Sequence, residues 1–350
     1  MNSAAIYIGN IVIYWSSVII ALGMLACLTL TLALFRRKNG SSAGVWVLFP
    51  LAFVFSFLIS RALHYYFNAE SYDSFLSAMT DLSTGSYMLP GVLLGIWLAA
   101  ELVSVMGLTP SAPVLLDSAA PGVCLLIALI RLSALFNESC RSKIIISAKL
   151  FQRLPFSVGS TDGAGNTTYR MATFFIEFII MLGVTVKVLK LYTGSGKIRM
   201  KKPCPREGNV MRLALVMYGA VEMIADSTRN DSPLLHFRIL SKLNQWSAFI
   251  SLAQVFAAVS AICVLVFYSR MSIKAGGFSW KHPLLWLGFL ASLFGIGYLG
   301  EYRVQRYGTQ KYLECYAIMA VSCFLMYMCV YLTYKMCVRK TAKMRIRSNL

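Results

Sequence analysis

Apolar residues in this chain fall into long runs, separated by short polar or basic segments. Nine runs approach or reach the ~20 residues that an α-helix needs to cross the ~30 Å hydrocarbon core of a bilayer. They predict transmembrane helices over about 11–35, 44–67, 88–106, 113–136, 171–192, 209–226, 245–268, 283–300 and 313–337. The segment at 138–169 is rich in Ser, Gly, Asn and Thr, which predicts a polar loop. The fold class that follows is all-α, a polytopic membrane helix bundle.

Composition agrees: 58% of the 350 residues are hydrophobic and the mean hydropathy is +0.66. A soluble domain of ordinary composition lies well below this. The net charge of +19 in a soluble chain would suggest nucleic acid. Here the basic residues flank the apolar runs and meet anionic lipid heads, so no nucleic-acid partner is expected. Residues 1–10 hold no Lys or Arg, whereas Arg36, Arg37 and Lys38 follow the first run. That order predicts an uncleaved first span with its N-terminus outside. With the N-terminus outside, the inner segments hold 17 Lys and Arg and the outer segments 11. The 138–170 segment is then external and the basic tail cytoplasmic. The nine cysteines lie mostly in apolar runs, without CxxC or zinc-type spacing, so neither a disulfide framework nor a metal site is indicated.

Several polar side chains sit where lipid would penalise them. Arg131 lies inside the run Ala119–Phe136 and stays charged at any working pH. It faces other helices, a polar cavity or an anion, or it snorkels to the interface about five residues away. Arg61, His64 and Tyr65 share one helical face of the second run; interfacial anchoring or a cavity wall would both account for them. Glu177 lies seven residues after Arg170, inside the fifth run. Lys187 and Lys190 lie toward that run's inner end, where lysines snorkel. In the sixth run Tyr218, Glu222, Asp226 and Arg229 fall at i, i+4, i+8 and i+11, one helical stripe. A cationic pocket built from Arg61, Arg131, Arg170 and Arg229 suits a phosphate whose acyl chains stay in hydrocarbon.

Taken in order, these residues resemble the bacterial prolipoprotein diacylglyceryl transferases over roughly residues 11–268. The pieces are Ile13-Tyr-Trp15, the Arg61-Ala-Leu-His-Tyr-Tyr segment, Asp117-Ser-Ala-Ala-Pro121 followed by Arg131-Leu, and Asn137. Arg170 with Glu177, Tyr218-Gly219, Asp226, Arg229-Asn-Asp231-Ser and Gln245-Trp-Ser continue the series. The chain departs from the family pattern at Pro90, where the family has a histidine, and at Ala134, where it has an asparagine. It also departs at Ile130 and Ser133, which stand for glycines, at Trp15, which stands for a tyrosine, and at Glu222, which stands for an arginine.

The resemblance implies a seven-helix transferase-like core over 1–268 and two extra helices with a basic cytoplasmic tail over 269–350. It implies transfer of diacylglycerol from phosphatidylglycerol to the cysteine thiol of a prolipoprotein lipobox peptide, at the outer face of the bacterial plasma membrane, with no metal or redox cofactor. Arg131 is then the phosphate clamp, with Arg61, Arg229, Arg170, Asn137, Tyr218, Glu177 and Asp226 as further substrate-binding residues. The base is Glu222 or His64. The alternatives are a catalytically altered or inactive relative that binds phospholipid or lipoprotein, and a transferase with a different lipid donor or acceptor.

Overall fold

The computed structural model describes residues 4–8, 11–39, 42–67, 72–80, 88–136, 142–154, 156–161, 167–197, 207–229, 250–307 and 312–348. The chain opens with a hairpin, β1 (Ala4–Ile8) and β2 (Ile11–Tyr14), and enters α1 at Trp15 (Trp15–Asn39). The first helix therefore starts four residues after the apolar run does, because Ile11–Tyr14 pair with β1 instead. Next come α2 (Ala43–Phe67), α3 (Phe75–Thr80) and α4 (Leu89–Val105). α5 (Ala112–Ser133) ends in a 3-10 turn, Ala134–Phe136. A short α6 (Lys149–Gln152) and the hairpin β3 (Ser157–Thr161) with β4 (Thr167–Met171) follow. The described parts of the 138–169 segment are thus a structured cap, not a plain loop.

α7 (Thr173–Lys197), α8 (Asn209–Thr228) and α9 (Leu252–Gly276) complete the residues that the sequence groups as a core. α9 starts later than its apolar run: Ser251 and Gln254 form a capping box that fixes the first turn at Leu252. Residues 245–249 lie outside the described residues. α10 (Lys281–Phe294) continues through a π-helical stretch, Gly295–Tyr302, into α11 (Arg303–Tyr307), and α12 (Tyr312–Ser348) closes the chain.

Six helical stretches among the described residues are long and apolar enough to cross a membrane, and α4 is a shorter apolar helix. This is a multi-pass membrane protein. α7 and α8 fall outside that set because they carry Glu177, Lys187 and Lys190, and Arg212, Glu222 and Asp226. Helices with such residues need protein neighbours. α8 has them, packing against α5, α7, α9 and α12. Its whole length is largely buried, from Asn209 to Thr228.

The N-terminus of α8 is anchored across the bundle. Gly208 sits at φ +89°, a backbone that favours glycine, and its N–H donates to Asp117 Oδ2 at 2.8 Å. The Met211 N–H donates to Asp117 Oδ1 at 2.9 Å. Asp117, on α5, therefore serves as an N-terminal cap for a different helix, accepting donors that otherwise lack partners. At the other end, Ser142 Oγ donates to the Thr228 carbonyl at 3.1 Å and the Lys143 N–H to the same oxygen at 2.8 Å. The Met171 N–H to Ile144 O bond then ties this segment to β4. The cap thus closes the end of α8 that carries Glu222 and Asp226.

α2 and α4 pack through small residues. A Cβ on Gly91 would sit 2.5 Å from the Ser60 backbone, and one on Gly95 would strike Ser56. Ser56 Oγ donates to the Val92 carbonyl at 3.0 Å, and Ser60 Oγ to that of Met88 at 2.9 Å. Close backbone approach with serine cross-bonds is the usual way membrane helices associate.

Candidate functional site

The geometry centres on Arg131, near the end of α5. Its Nε lies 2.7 Å from Glu177 Oε2 on α7. Its Nη2 pairs with both carboxylate oxygens of Glu222 on α8. One guanidinium therefore joins three helices, and all three side chains are nearly buried, at 12% exposure for Arg131 and 6% for each glutamate. Arg131 does not snorkel. Nε and Nη2 carry both ion pairs, so Nη1 is the edge left for a third contact. The planar fork of arginine permits such divided use; a lysine would not provide it.

The stripe on α8 is real over its first three members. Tyr218, Glu222 and Asp226 are all buried, and Tyr218 lies within electrostatic range of Arg131. Asp226 and Arg229 lie within range of Glu177. Arg229 departs from the expected helical stripe because α8 ends at Thr228. The Arg229 N–H still bonds to the Asp226 carbonyl at 3.2 Å, but its backbone is extended and pairs with Ser142.

The other residues singled out from the sequence are distributed differently. Arg170 lies in β4 and donates through Nη1 to the Ser142 carbonyl at 3.2 Å, a contact inside the cap. Arg61 is almost wholly buried on α2, the helix packed against α4. His64, one turn on, meets Tyr72, with ring centroids 5.9 Å apart and Nδ1 3.4 Å from the tyrosine hydroxyl. Arg61 and His64 form a second polar group on the α2–α4 side. Asn137 lies outside the described residues. The expected cationic pocket is thus a charge-paired cluster: the two carboxylates around Arg131 outweigh its one positive charge. Glu222, where the family pattern has an arginine, accounts for this.

Sequence reasoning missed two features. Asp117, quoted from the sequence only as part of a family motif, is a cross-helix cap. Glu301 is buried in the π-helical stretch. It accepts from Gln254 Nε2 at 3.0 Å and from Gln305 Nε2 at 2.9 Å, and Gln254 Nε2 also reaches the Met223 carbonyl. Tyr316 Oη, on α12, donates to the Ser227 carbonyl at 3.2 Å. α12 is therefore hydrogen-bonded directly to α8 next to the Arg131 cluster, and the π-helical stretch is linked to α8 through Gln254 of α9. The i, i+3 spacing of Ser251 and Gln254 was the one signal available. Among the described residues, no group of three or more His, Cys, Asp or Glu is placed to hold a metal ion.

Comparison with known proteins gives two matches. The family prolipoprotein diacylglyceryl transferase matches residues 3–269, about three quarters of the chain. A phosphatidylglycerol–prolipoprotein diacylglyceryl transferase 1 from Clostridium perfringens (strain 13 / Type A) is 33% identical over 100 residues. That alignment covers 29% of this chain and 38% of the relative.

Proposed function

The chain belongs to the prolipoprotein diacylglyceryl transferase family, and from that premise we propose that it moves diacylglycerol from phosphatidylglycerol to the cysteine thiol of a prolipoprotein. The observation that carries the reading is the Arg131–Glu177–Glu222 cluster, a guanidinium with one edge uncommitted beneath a polar cap. The reaction is assigned to the outer face of a bacterial plasma membrane, with the N-terminus outside and the tail in the cytoplasm. The assignment rests on the Lys and Arg asymmetry. The bundle is read as nine spans: a seven-helix core over 1–268 and two added helices over 269–350.

In this mechanism the phosphate of the lipid binds Arg131 through Nη1 and draws Nη2 from Glu222. The released Glu222 carboxylate takes the proton of the incoming cysteine thiol, since only the thiolate is a useful nucleophile. The sulfur attacks the glycerol carbon bearing the phosphate ester. The C–S bond forms as the C–O bond breaks, and the electron pair leaves on the phosphate oxygen as glycerol-1-phosphate. Arg131 stabilises that developing charge, the preorganised electrostatic role with the greatest weight in such sites. Glu177 holds Arg131 in place through Nε. Arg229, Tyr218 and Asp226 tune the field, Asn137 contacts substrate, Arg170 binds peptide or headgroup at the rim, and the buried Arg61 adds positive charge from α2. His64 is the alternative base.

Glu222 also supports a second reading. A carboxylate already on Arg131 competes with a phosphate, which favours a relative that binds phospholipid or lipoprotein without turnover, or a different lipid donor or acceptor. Complementation separates these readings. Expression in a bacterium depleted of its own transferase restores lipoprotein maturation under the first and fails under the second, with protein abundance in the membrane as the control.

A further inference from the structure

A groove of about 580 Å³ runs between α7, α8 and α12. Lys187 lines one end, and Glu177 lies toward the other, which is closed by Met171, Thr173 and Thr228. Ten residues of α-helix separate Glu177 from Lys187, about 15 Å at 1.5 Å per residue. Between them the walls are apolar, with Ile180 and Val184 from α7, Val221 and Ile224 from α8, and Phe324 from α12. Gly183 also lines the groove, and a Cβ there would meet nothing within 4 Å.

The Lys187 end has its own chemistry. Its Nζ lies 4.5 Å from the Tyr327 ring centroid and 5.8 Å from that of Tyr331. Lys335 Nζ lies 4.6 Å from the Tyr331 centroid, so the two ammonium groups are within about 10 Å of each other. Tyr327 is 92% buried, and its hydroxyl has no hydrogen-bond partner among the described residues. A buried hydroxyl without a partner is costly. Lysines with tyrosine rings are the residues that meet headgroups at a membrane interface. Counted along α12 at helical rise, Tyr331 lies about 28 Å and Lys335 about 35 Å from Tyr312, at and just beyond one hydrocarbon thickness.

We propose that this groove is a binding site for an anionic phospholipid of the leaflet opposite Arg131. The phosphate sits between Lys187 and Lys335 and accepts from the Tyr327 hydroxyl. One acyl chain fills the groove and ends near Glu177. The walls come partly from α12, which lies beyond the residues matched by the family, so this lipid is distinct from the one that would react at Arg131. Its occupancy does not depend on the transferase reading.

The test uses the full chain in nanodiscs of phosphatidylcholine, with a trace of phosphatidylglycerol carrying a diazirine near its acyl terminus. Photolysis is followed by peptide mass spectrometry. The expected result is labelling on α7 and α12 peptides around 176–187 and 320–331. It falls about fivefold for Lys187→Ala or Lys335→Ala, the Coulombic weight of one basic residue at an anionic surface. Tyr327→Phe, which keeps the ring, also lowers it. Gly183→Leu, which fills open space, abolishes it in folded protein. Equal labelling by a phosphatidylcholine probe, or insensitivity to both lysines and to Gly183→Leu, would each overturn the proposal.

Discussion

Replacing Arg131 by alanine tests the cluster as a structural unit. The side chain sits between two glutamates, each only 6% exposed, and its removal leaves two buried carboxylates facing each other. Breaking a buried pair by deleting one partner costs about 3–5 kcal/mol, because the remaining charge is uncompensated. Replacing all members by neutral groups of similar volume costs little. Arg131→Ala is therefore expected to lose about 3–5 kcal/mol, while the Arg131→Met, Glu177→Gln, Glu222→Gln triple variant stays within about 1 kcal/mol of the starting protein. The readout is native-state labelling of buried thiols. Cys27, Cys124 and Cys323 are buried and Cys263 is exposed, so a maleimide fluorophore reports opening against an internal reference. At 1.4 kcal/mol per tenfold, Arg131→Ala should label the buried cysteines roughly a hundred to four thousand times faster when opening and closing outpace reaction. An Arg131→Ala protein that labels like the parent, or a triple variant as unstable as the single one, would refute the ion-paired arrangement.

Other outcomes follow from the same geometry. Glu222→Gln keeps volume and a hydrogen bond to Arg131 but removes the base. Transfer to a lipobox peptide, followed by mass spectrometry, is expected to fall about 10²-fold or more with thiol labelling unchanged. Gly95→Val drives a side chain into the Ser56 backbone at the α2–α4 seam, and strain of about 1–3 kcal/mol should appear as faster thiol labelling. Asp117→Ala removes both acceptors at the start of α8 and should cost about 1–2 kcal/mol, the upper range for a helix cap. Asp117→Asn, which keeps one acceptor oxygen, should lose less.

The sequence made most of the helices visible, because runs of about twenty apolar residues have few other uses. α7 and α8 were equally visible as runs, although each carries three charged residues within its apolar stretch. Their charges mark them as interior, and the structure places α8 among four neighbours. The stripe Tyr218, Glu222, Asp226 was legible from helical spacing alone, and Arg131 from the cost of a guanidinium in an apolar run. What spacing does not contain is which helix faces which. The pairing of Arg131 with Glu177 and Glu222 crosses 46 and 91 residues respectively, and the burial of Arg61 comes with α2, which packs against α4. The early start assigned to α1 failed for a local reason: β-branched residues such as Ile11, Val12 and Ile13 suit a strand as well as a membrane helix, and β1 was there to pair with them. The π-helical stretch that buries Glu301 has no periodic signature, so its contact with Gln254 was not foreseeable.

The most direct measurement of the central claim is transfer by the purified full chain. Phosphatidylglycerol labelled in its acyl chains is supplied in mixed micelles with a lipobox peptide, and the peptide's mass is followed with time. The account predicts a mass increase equal to one diacylglyceryl group on the cysteine, release of glycerol-1-phosphate, and loss of both when the peptide cysteine is replaced by serine. No modified peptide, under conditions where a family member of established activity completes the reaction, would contradict it.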